Sequence, residues 1–254
     1  AQTPEQLRRA VAAVGVEERL GAAVPADLTF TAEDERAVAL RGLRGKPVLL
    51  SFNYTGCRKL CGVQLAGLAR ALHELGWDGQ RFSVLTVSID PAETLPQLRR
   101  YKEAFVRQAG GSEGVARGWT FAMGRAADVD ALARAVGFRY RYDPASGQFA
   151  HQATLVVVTA DGRVSGYLHG VTYPPAALRA ALERAAAGRV ATSEEQASLG
   201  GFLLTCIGFG PDDPLPLALK IMRAGGGAAA LFLLAFVGVH AARDARRRRP
   251  REAR

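Results

Sequence analysis

The run Val48-Leu49-Leu50-Ser51-Phe52-Asn53-Tyr54 constrains the fold more than any other part of the chain. It is short and apolar, with Gly45-Lys46-Pro47 before it and Thr55-Gly56 after it. A run of this kind between Gly and Pro signals reads as a buried strand. The next segment switches period. Leu65, Leu68, Ala69, Leu72 and Leu75 recur at helical spacing within residues 63–75. A helix therefore starts within or just after the turn that carries Cys57 and Cys61.

The same alternation continues downstream. Residues 82–89 are Val-rich and end at Asp90-Pro91, which predicts a second strand. Residues 94–106 read as a helix, 119–123 as a short strand, and 128–136 as a helix with Asp128 at its start. Residues 138–142 are extended and aromatic, and 143–147 form a turn. Thr154 to Thr159 is a strand, Asp161-Gly162 a tight hairpin turn into 163–168, and 174–187 a helix entered through Pro174-Pro175. Strands alternating with helices, then a hairpin and a last helix, indicate a layered α/β domain.

Of the 254 residues, 48% are hydrophobic and 22% charged, so the chain can bury a core. The formal charge of +9 raises the question of nucleic acid. Much of it is local, because residues 243–254 hold seven Arg against Asp244 and Glu252. A basic tail is not a basic domain, so nucleic-acid binding is not expected.

The stretch 224–242 contains no Asp, Glu, Lys or Arg and lacks the polar stripe of an amphipathic helix. Extended back to Leu217, past Lys220 and Arg223, it has the length of a bilayer-spanning helix. The two basic side chains would snorkel to the interface. The Arg cluster after it predicts a cytoplasmic tail, and hence an outward main domain. Ala1-Gln2-Thr3-Pro4 looks like a mature start after a small-residue cleavage site, which predicts a removed export signal. The expected organisation is an N-terminal extension (1–27), an α/β domain (28–187), a connector (188–216), a transmembrane helix (217–242) and a basic cytoplasmic tail (243–254). The expected location is the cytoplasmic membrane, single-pass, with the main domain in the periplasm.

Three cysteines are too few for a disulfide scaffold and enough for a redox or metal site. Cys57 and Cys61 are four apart where a strand feeds a helix, a place where the helix macrodipole and the neighbouring Arg58 and Lys59 favour a thiolate. Metal binding and disulfide chemistry both fit. A metal needs a third ligand. His73 reads as a solvated helix residue, His240 as the end of the membrane span, His169 as a loop residue after a strand, and His151 as a loop residue before one. Cys206 reads as an isolated lipid-side or core cysteine.

Several motifs stand in order along the chain. They are Gly45-Lys46-Pro47-Val48-Leu49-Leu50, Tyr54-Thr55-Gly56-Cys57 with Leu60-Cys61, and Val87-Ser88-Ile89-Asp90-Pro91. Later come Val136-Gly137-Phe138-Arg139-Tyr140, Phe149-Ala150-His151 and Asp161-Gly162-Arg163-Val164. Together they resemble the Sco/SenC family of copper proteins. The resemblance implies a thioredoxin-like fold and a copper site, Cu(I) or Cu(II), with Cys57, Cys61 and His151 as ligands. It also implies a role in cytochrome c oxidase assembly. The chain departs from the family where Arg58 and Lys59 replace a frequent Pro and acidic residue, and where Gly62 replaces a frequent Pro. Asp90 reads as a structural cap on the turn after its strand.

Three functions are open to test. The first is a copper chaperone whose partner is the oxidase copper subunit, delivering to its binuclear copper centre. The second is a thiol–disulfide oxidoreductase in which Cys57 attacks and Cys61 resolves, fed by a thioredoxin-type reductant and acting on that subunit's cysteines. The third is a copper sensor or store. His151 discriminates, because dithiol exchange does not require it.

Overall fold

Residues 14–57 and 60–199 are described by a computed structural model. At its centre is strand β4 (Val48–Asn53), buried at every position, the strand expected from the apolar run. Alternate side chains serve two cores: Leu49 joins Leu65, Leu68, Leu72, Trp119 and Leu178, while Leu50 and Phe52 join Phe30, Leu85, Leu132 and Phe138. A strand with apolar side chains on both faces fits only inside a three-layer arrangement.

In chain order, β1 is Gly15–Val16, β2 Thr29–Ala32 and β3 Ala37–Ala39, followed by a 3-10 turn at Leu40–Leu43. After β4 come α1 (Cys61–Glu74), β5 (Ser83–Ser88), α2 (Leu95–Gln108), α3 (Glu113–Gly118), β6 (Trp119–Met123) and α4 (Ala126–Ala135). The chain continues through β7 (Phe138–Asp143), β8 (Gln148–His151), β9 (Thr154–Val158), β10 (Val164–His169), α5 (Pro175–Ala186) and α6 (Ser193–Leu199).

The main sheet runs β10-β9-β4-β5-β6-β2-β3, with β4, β5 and β6 parallel and the other pairs antiparallel. The parallel strands are joined through helices, as crossover connections require. A second, antiparallel sheet has the order β1-β7-β8. Helix α1 lies close against the loop after β10: a Cβ on Gly67 would sit 1.9 Å from the Val171 carbonyl oxygen, so only glycine fits.

The expected elements between residues 48 and 187 are present. Others were not expected. Gln148–His151 is a strand and not a loop, because it pairs with β7 through Tyr140↔His151 and Tyr142↔Phe149. His169 is likewise the last residue of β10, paired with Thr154. Helix α6 stands within the stretch read as a connector. Gln196 in it donates from Nε2 to the Tyr167 carbonyl (2.9 Å) and accepts at Oε1 from the Tyr167 N–H (3.1 Å), covering the edge of β10. The N-terminal segment also packs on the domain. Glu17 N donates to the Gly137 carbonyl (2.8 Å), and Gly137 has φ 66° with no room for a Cβ beside the Glu17 carbonyl oxygen.

Among the described residues, no helix is long and apolar enough to cross a membrane. The expected span at 217–242, the tail at 243–254, Cys206 and His240 all lie outside the described residues, as do Arg58 and Lys59.

Candidate metal centre

The carboxyl end of β4 delivers the cysteines. After Tyr54 the chain turns, with Cys57 N donating to the Tyr54 carbonyl, and α1 begins at Cys61 with Leu60 as its N-cap. Cys57 thus precedes the helix and does not share a helical face with Cys61. A turn brings the pair together, and the Cys61 backbone N–H at the helix start faces Cys57 Sγ at 3.5 Å. That is the place where a helix N-terminus favours negative charge.

His151 arrives from the other direction. Strand β9 runs antiparallel to β4, with Ser51 opposite Leu155. Residues just before β9 therefore emerge at the end where β4 releases the cysteine turn. His151 closes β8 at that end, and its Nε2 lies 3.1 Å from Cys61 Sγ. The Cys57, Cys61 and His151 ligand atoms all lie within 4.8 Å of one another. Cys61 is buried, while Cys57 and His151 are half-buried.

The imidazole is oriented. His151 Nδ1 is 3.1 Å from the Gln152 carbonyl oxygen. A carbonyl only accepts, so Nδ1 carries the proton and Nε2 presents a lone pair toward Cys61. The neighbouring Cys57 sulfur and burial push the Cys61 thiol far up, opposed by the Tyr54 backbone and the Asn53 side chain. In the metal-free site Cys61 keeps its thiol proton, with His151 Nε2 lying 3.1 Å from its sulfur. A metal entering here would displace that proton.

Side chains around the trio hold its two halves in register. The Tyr54 hydroxyl donates to Gln148 Oε1 (2.9 Å) and accepts from Phe149 N (3.2 Å), tying the cysteine strand to the hairpin that carries His151. Burial pushes the Tyr54 phenol up to about 12, opposed by the Phe149 N–H and assisted by the neighbouring Cys57 sulfur. Gln64, fully buried on α1, accepts from Asn53 Nδ2 (3.1 Å) and donates to the Thr154 carbonyl (3.0 Å). Glu93 accepts from the Thr55 backbone N–H and pins the cysteine turn. Asp90 accepts from Ala92 N at 2.9 Å, the structural turn expected of it.

Two sulfurs and one imidazole nitrogen form a soft donor set. With bonds of roughly 2.0 to 2.3 Å, donors on one ion lie about 3.5 to 4 Å apart, so closing this trio needs a shift on the order of 1 Å. The residues present fit a metal. His73 is exposed on α1 and His169 contacts Glu18, Gln152 and Thr154, so neither joins the trio. Sequence reasoning missed Tyr54, Gln64 and Gln152. Gln64 was detectable as a polar residue within the apolar stripe of its helix.

The comparisons agree with this geometry. The chain is 30% identical to a protein of known crystal structure from Aquifex aeolicus VF5, covering 67% of this chain and 95% of that one, with a TM-score of 0.59. It shares its fold with ScoI of Bradyrhizobium japonicum, solved with copper bound (21% identity, 65% and 99% coverage, TM-score 0.53). The same holds for BsSco, a member of the Sco family of cytochrome c oxidase assembly proteins in which a disulfide switch was identified (21% identity, 67% and 97% coverage, TM-score 0.51). A search of curated proteins finds no match. The SCO1/SenC family model matches residues 16–187, a span that contains the whole donor trio and the sheet that assembles it. The chain belongs to the SCO1/SenC family.

Proposed function

We propose that this protein is a copper chaperone that binds one copper ion through Cys57, Cys61 and His151 and delivers it to the copper subunit of cytochrome c oxidase, at the binuclear centre. The observation that carries the reading is the convergence of two sulfurs and an imidazole nitrogen within 4.8 Å. Thiolates select Cu(I), and imidazole also suits Cu(II), so this donor set can hold either state. The chain's own residues supply the rest. Gln152 keeps the lone pair of His151 on Nε2, Tyr54 and Gln64 hold the two halves together, and Cys57 is half-buried where Cys61 is buried.

The rim supports handover to a protein partner. Leu60, Val63 and Tyr142 are the exposed large hydrophobics among the described residues. Leu60 and Val63 flank Cys61 on α1. Tyr142 packs on Phe149 at 5.1 Å between ring centroids, on the hairpin that carries His151. In this reading these side chains, on the two segments that carry Cys61 and His151, meet the partner. In this reading residues 217–242 tether the domain to the cytoplasmic membrane, with the metal site in the periplasm and the Arg-rich tail in the cytoplasm.

A second reading is favoured by the asymmetry of the cysteines, half-buried Cys57 against buried Cys61 with its raised thiol. Cys57 thiolate would attack a partner disulfide, forming a mixed disulfide and releasing one partner thiol. Cys61 would then attack Cys57 Sγ, releasing the second partner thiol and leaving a Cys57–Cys61 disulfide. The partner gains the two electrons this chain loses, and a thioredoxin-type reductant would restore the pair.

Oxidase activity in a deletion strain at low copper separates the readings. Chaperone function requires Cys57→Ser, Cys61→Ser and His151→Ala all to fail, each with rescue by excess copper, while Cys206→Ser matures the oxidase. If His151→Ala matures oxidase normally and both cysteine variants fail, the chain is a thiol reductase.

A further inference from the structure

His169 lies outside the donor trio, yet a hydrogen-bonded chain runs from it to His151. Its Nε2 is 2.7 Å from Glu18 Oε1. Its Nδ1 is 3.1 Å from Thr154 Oγ1 and 3.4 Å from Gln152 Nε2. A carboxylate only accepts and an amide nitrogen only donates. Nε2 therefore carries the proton and gives it to Glu18, while Nδ1 receives the Thr154 hydroxyl and the Gln152 amide.

Gln152 and Ala153 are the whole connection between β8 and β9. Besides the bond from His151 and the Thr154 hydroxyl bond to His169, three more hold this connection and the first residue of β9. The Gln152 side chain meets His169, the Ala153 carbonyl accepts from Gly170 N at 2.8 Å, and the Thr154 carbonyl accepts from Gln64. The Gln152 carbonyl in turn receives His151 Nδ1. The His169 ring is itself stacked parallel on Tyr167, with an interplanar angle of 2°.

We propose that His169, anchored by Glu18, is a positioning residue for His151: it holds the Gln152–Thr154 connection so that the Gln152 carbonyl fixes the tautomer and direction of the His151 ring. The inference rests on His151 being a ligand. Partners one step removed from a ligand commonly change metal affinity by about 10-fold to 100-fold when removed. A purely structural His169 would only tuck the N-terminal segment against the sheet, which would move stability and leave the His151 ring unchanged.

The test uses the full-length chain and its variants His169→Ala, Glu18→Ala and Glu18→Gln. The first readout is the 15N spectrum of the His151 ring in metal-free protein, at a pH above the ordinary histidine range. The parent should carry its proton on Nδ1. His169→Ala and Glu18→Ala should give a mixture of tautomers, and Glu18→Gln, whose amide oxygen accepts the same bond, should match the parent. The second readout is Cu(I) affinity by competition with a chromophoric chelator, expected to fall by up to about 10-fold in His169→Ala, the low end of the range for direct ligand partners because His169 acts through Gln152. An unchanged His151 tautomer in His169→Ala overturns the proposal. So does an affinity within about twofold of the parent while His151→Ala is impaired. If His169→Ala does not fold, the Glu18 pair decides on the same criteria. If the parent binds copper no better than His151→Ala, the chaperone reading fails, and the tautomer comparison still decides whether His169 sets the ring.

Discussion

His151 Nε2 and Cys61 Sγ lie 3.1 Å apart, although 90 residues separate them in the chain. The approach comes from the antiparallel register of β4 with β9, which brings the end of β8 to the turn after β4. The contact depends on the sheet, so substitutions that loosen the two ends should act on the site before they unfold the domain.

Tyr54→Phe removes the hydroxyl that joins Gln148 and the Phe149 amide. Loss of these bonds, with one amide left unpaired, should cost about 1–3 kcal/mol. Urea unfolding of the metal-free chain should report this cost. Cu(I) affinity should also fall, because the hairpin carrying His151 loses its tie to the cysteine strand.

Gln64→Leu keeps the volume of a buried side chain and deletes its amide. Asn53 Nδ2 and the Thr154 carbonyl then lose their partner inside the core. The expected loss is about 2–4 kcal/mol, read from the denaturation midpoint at unchanged m-value. A variant as stable as the parent would mean that the bridge contributes no net stability.

Much of the fold was legible because period and punctuation are local signals. The runs 48–54, 82–89 and 154–159 are apolar enough to announce strands, and the structure has strands there. Strand β8 was not legible. Gln148-Phe149-Ala150-His151 is four residues of intermediate exposure whose extended form comes from pairing with β7. The short β3 at the sheet edge, and β2 beside it, which meets β6 through only Thr31↔Met123 and Ala32↔Ala122, have the same difficulty. The cysteine pair stood out from its spacing, whereas His151 was reached through family resemblance alone. A contact across 90 residues leaves no local pattern. His169 ends β10 through its pairing with Thr154, and its side-chain partner Glu18 is 151 residues away, so neither leaves a local pattern.

Gly137→Ala tests the packing of the N-terminal segment. Gly137 has φ 66°, and a Cβ there would stand 1.8 Å from the Glu17 carbonyl oxygen. The substitution should destabilise by more than about 1 kcal/mol, since strain and displacement of residues 14–20 add together. Proteolysis within that segment should rise in parallel.

Leu60→Ser with Val63→Ser tests the rim. Neither side chain is a donor, and both are about half exposed, at 48% and 51%. Cu(I) affinity should stay within about twofold of the parent, while copper transfer to the soluble copper domain of the oxidase subunit should slow by about 10-fold, as for loss of an interface contact of ~1.4 kcal/mol. Equal transfer rates would place docking elsewhere.

The most direct measurement is a Cu(I) competition titration of the full-length chain beside Cys57→Ser, Cys61→Ser and His151→Ala, with X-ray absorption of the loaded parent. The account predicts one copper per chain, two sulfur neighbours and one imidazole nitrogen, and weakened binding in all three variants. Binding by His151→Ala equal to that of the parent, with no nitrogen neighbour at the metal, would contradict it.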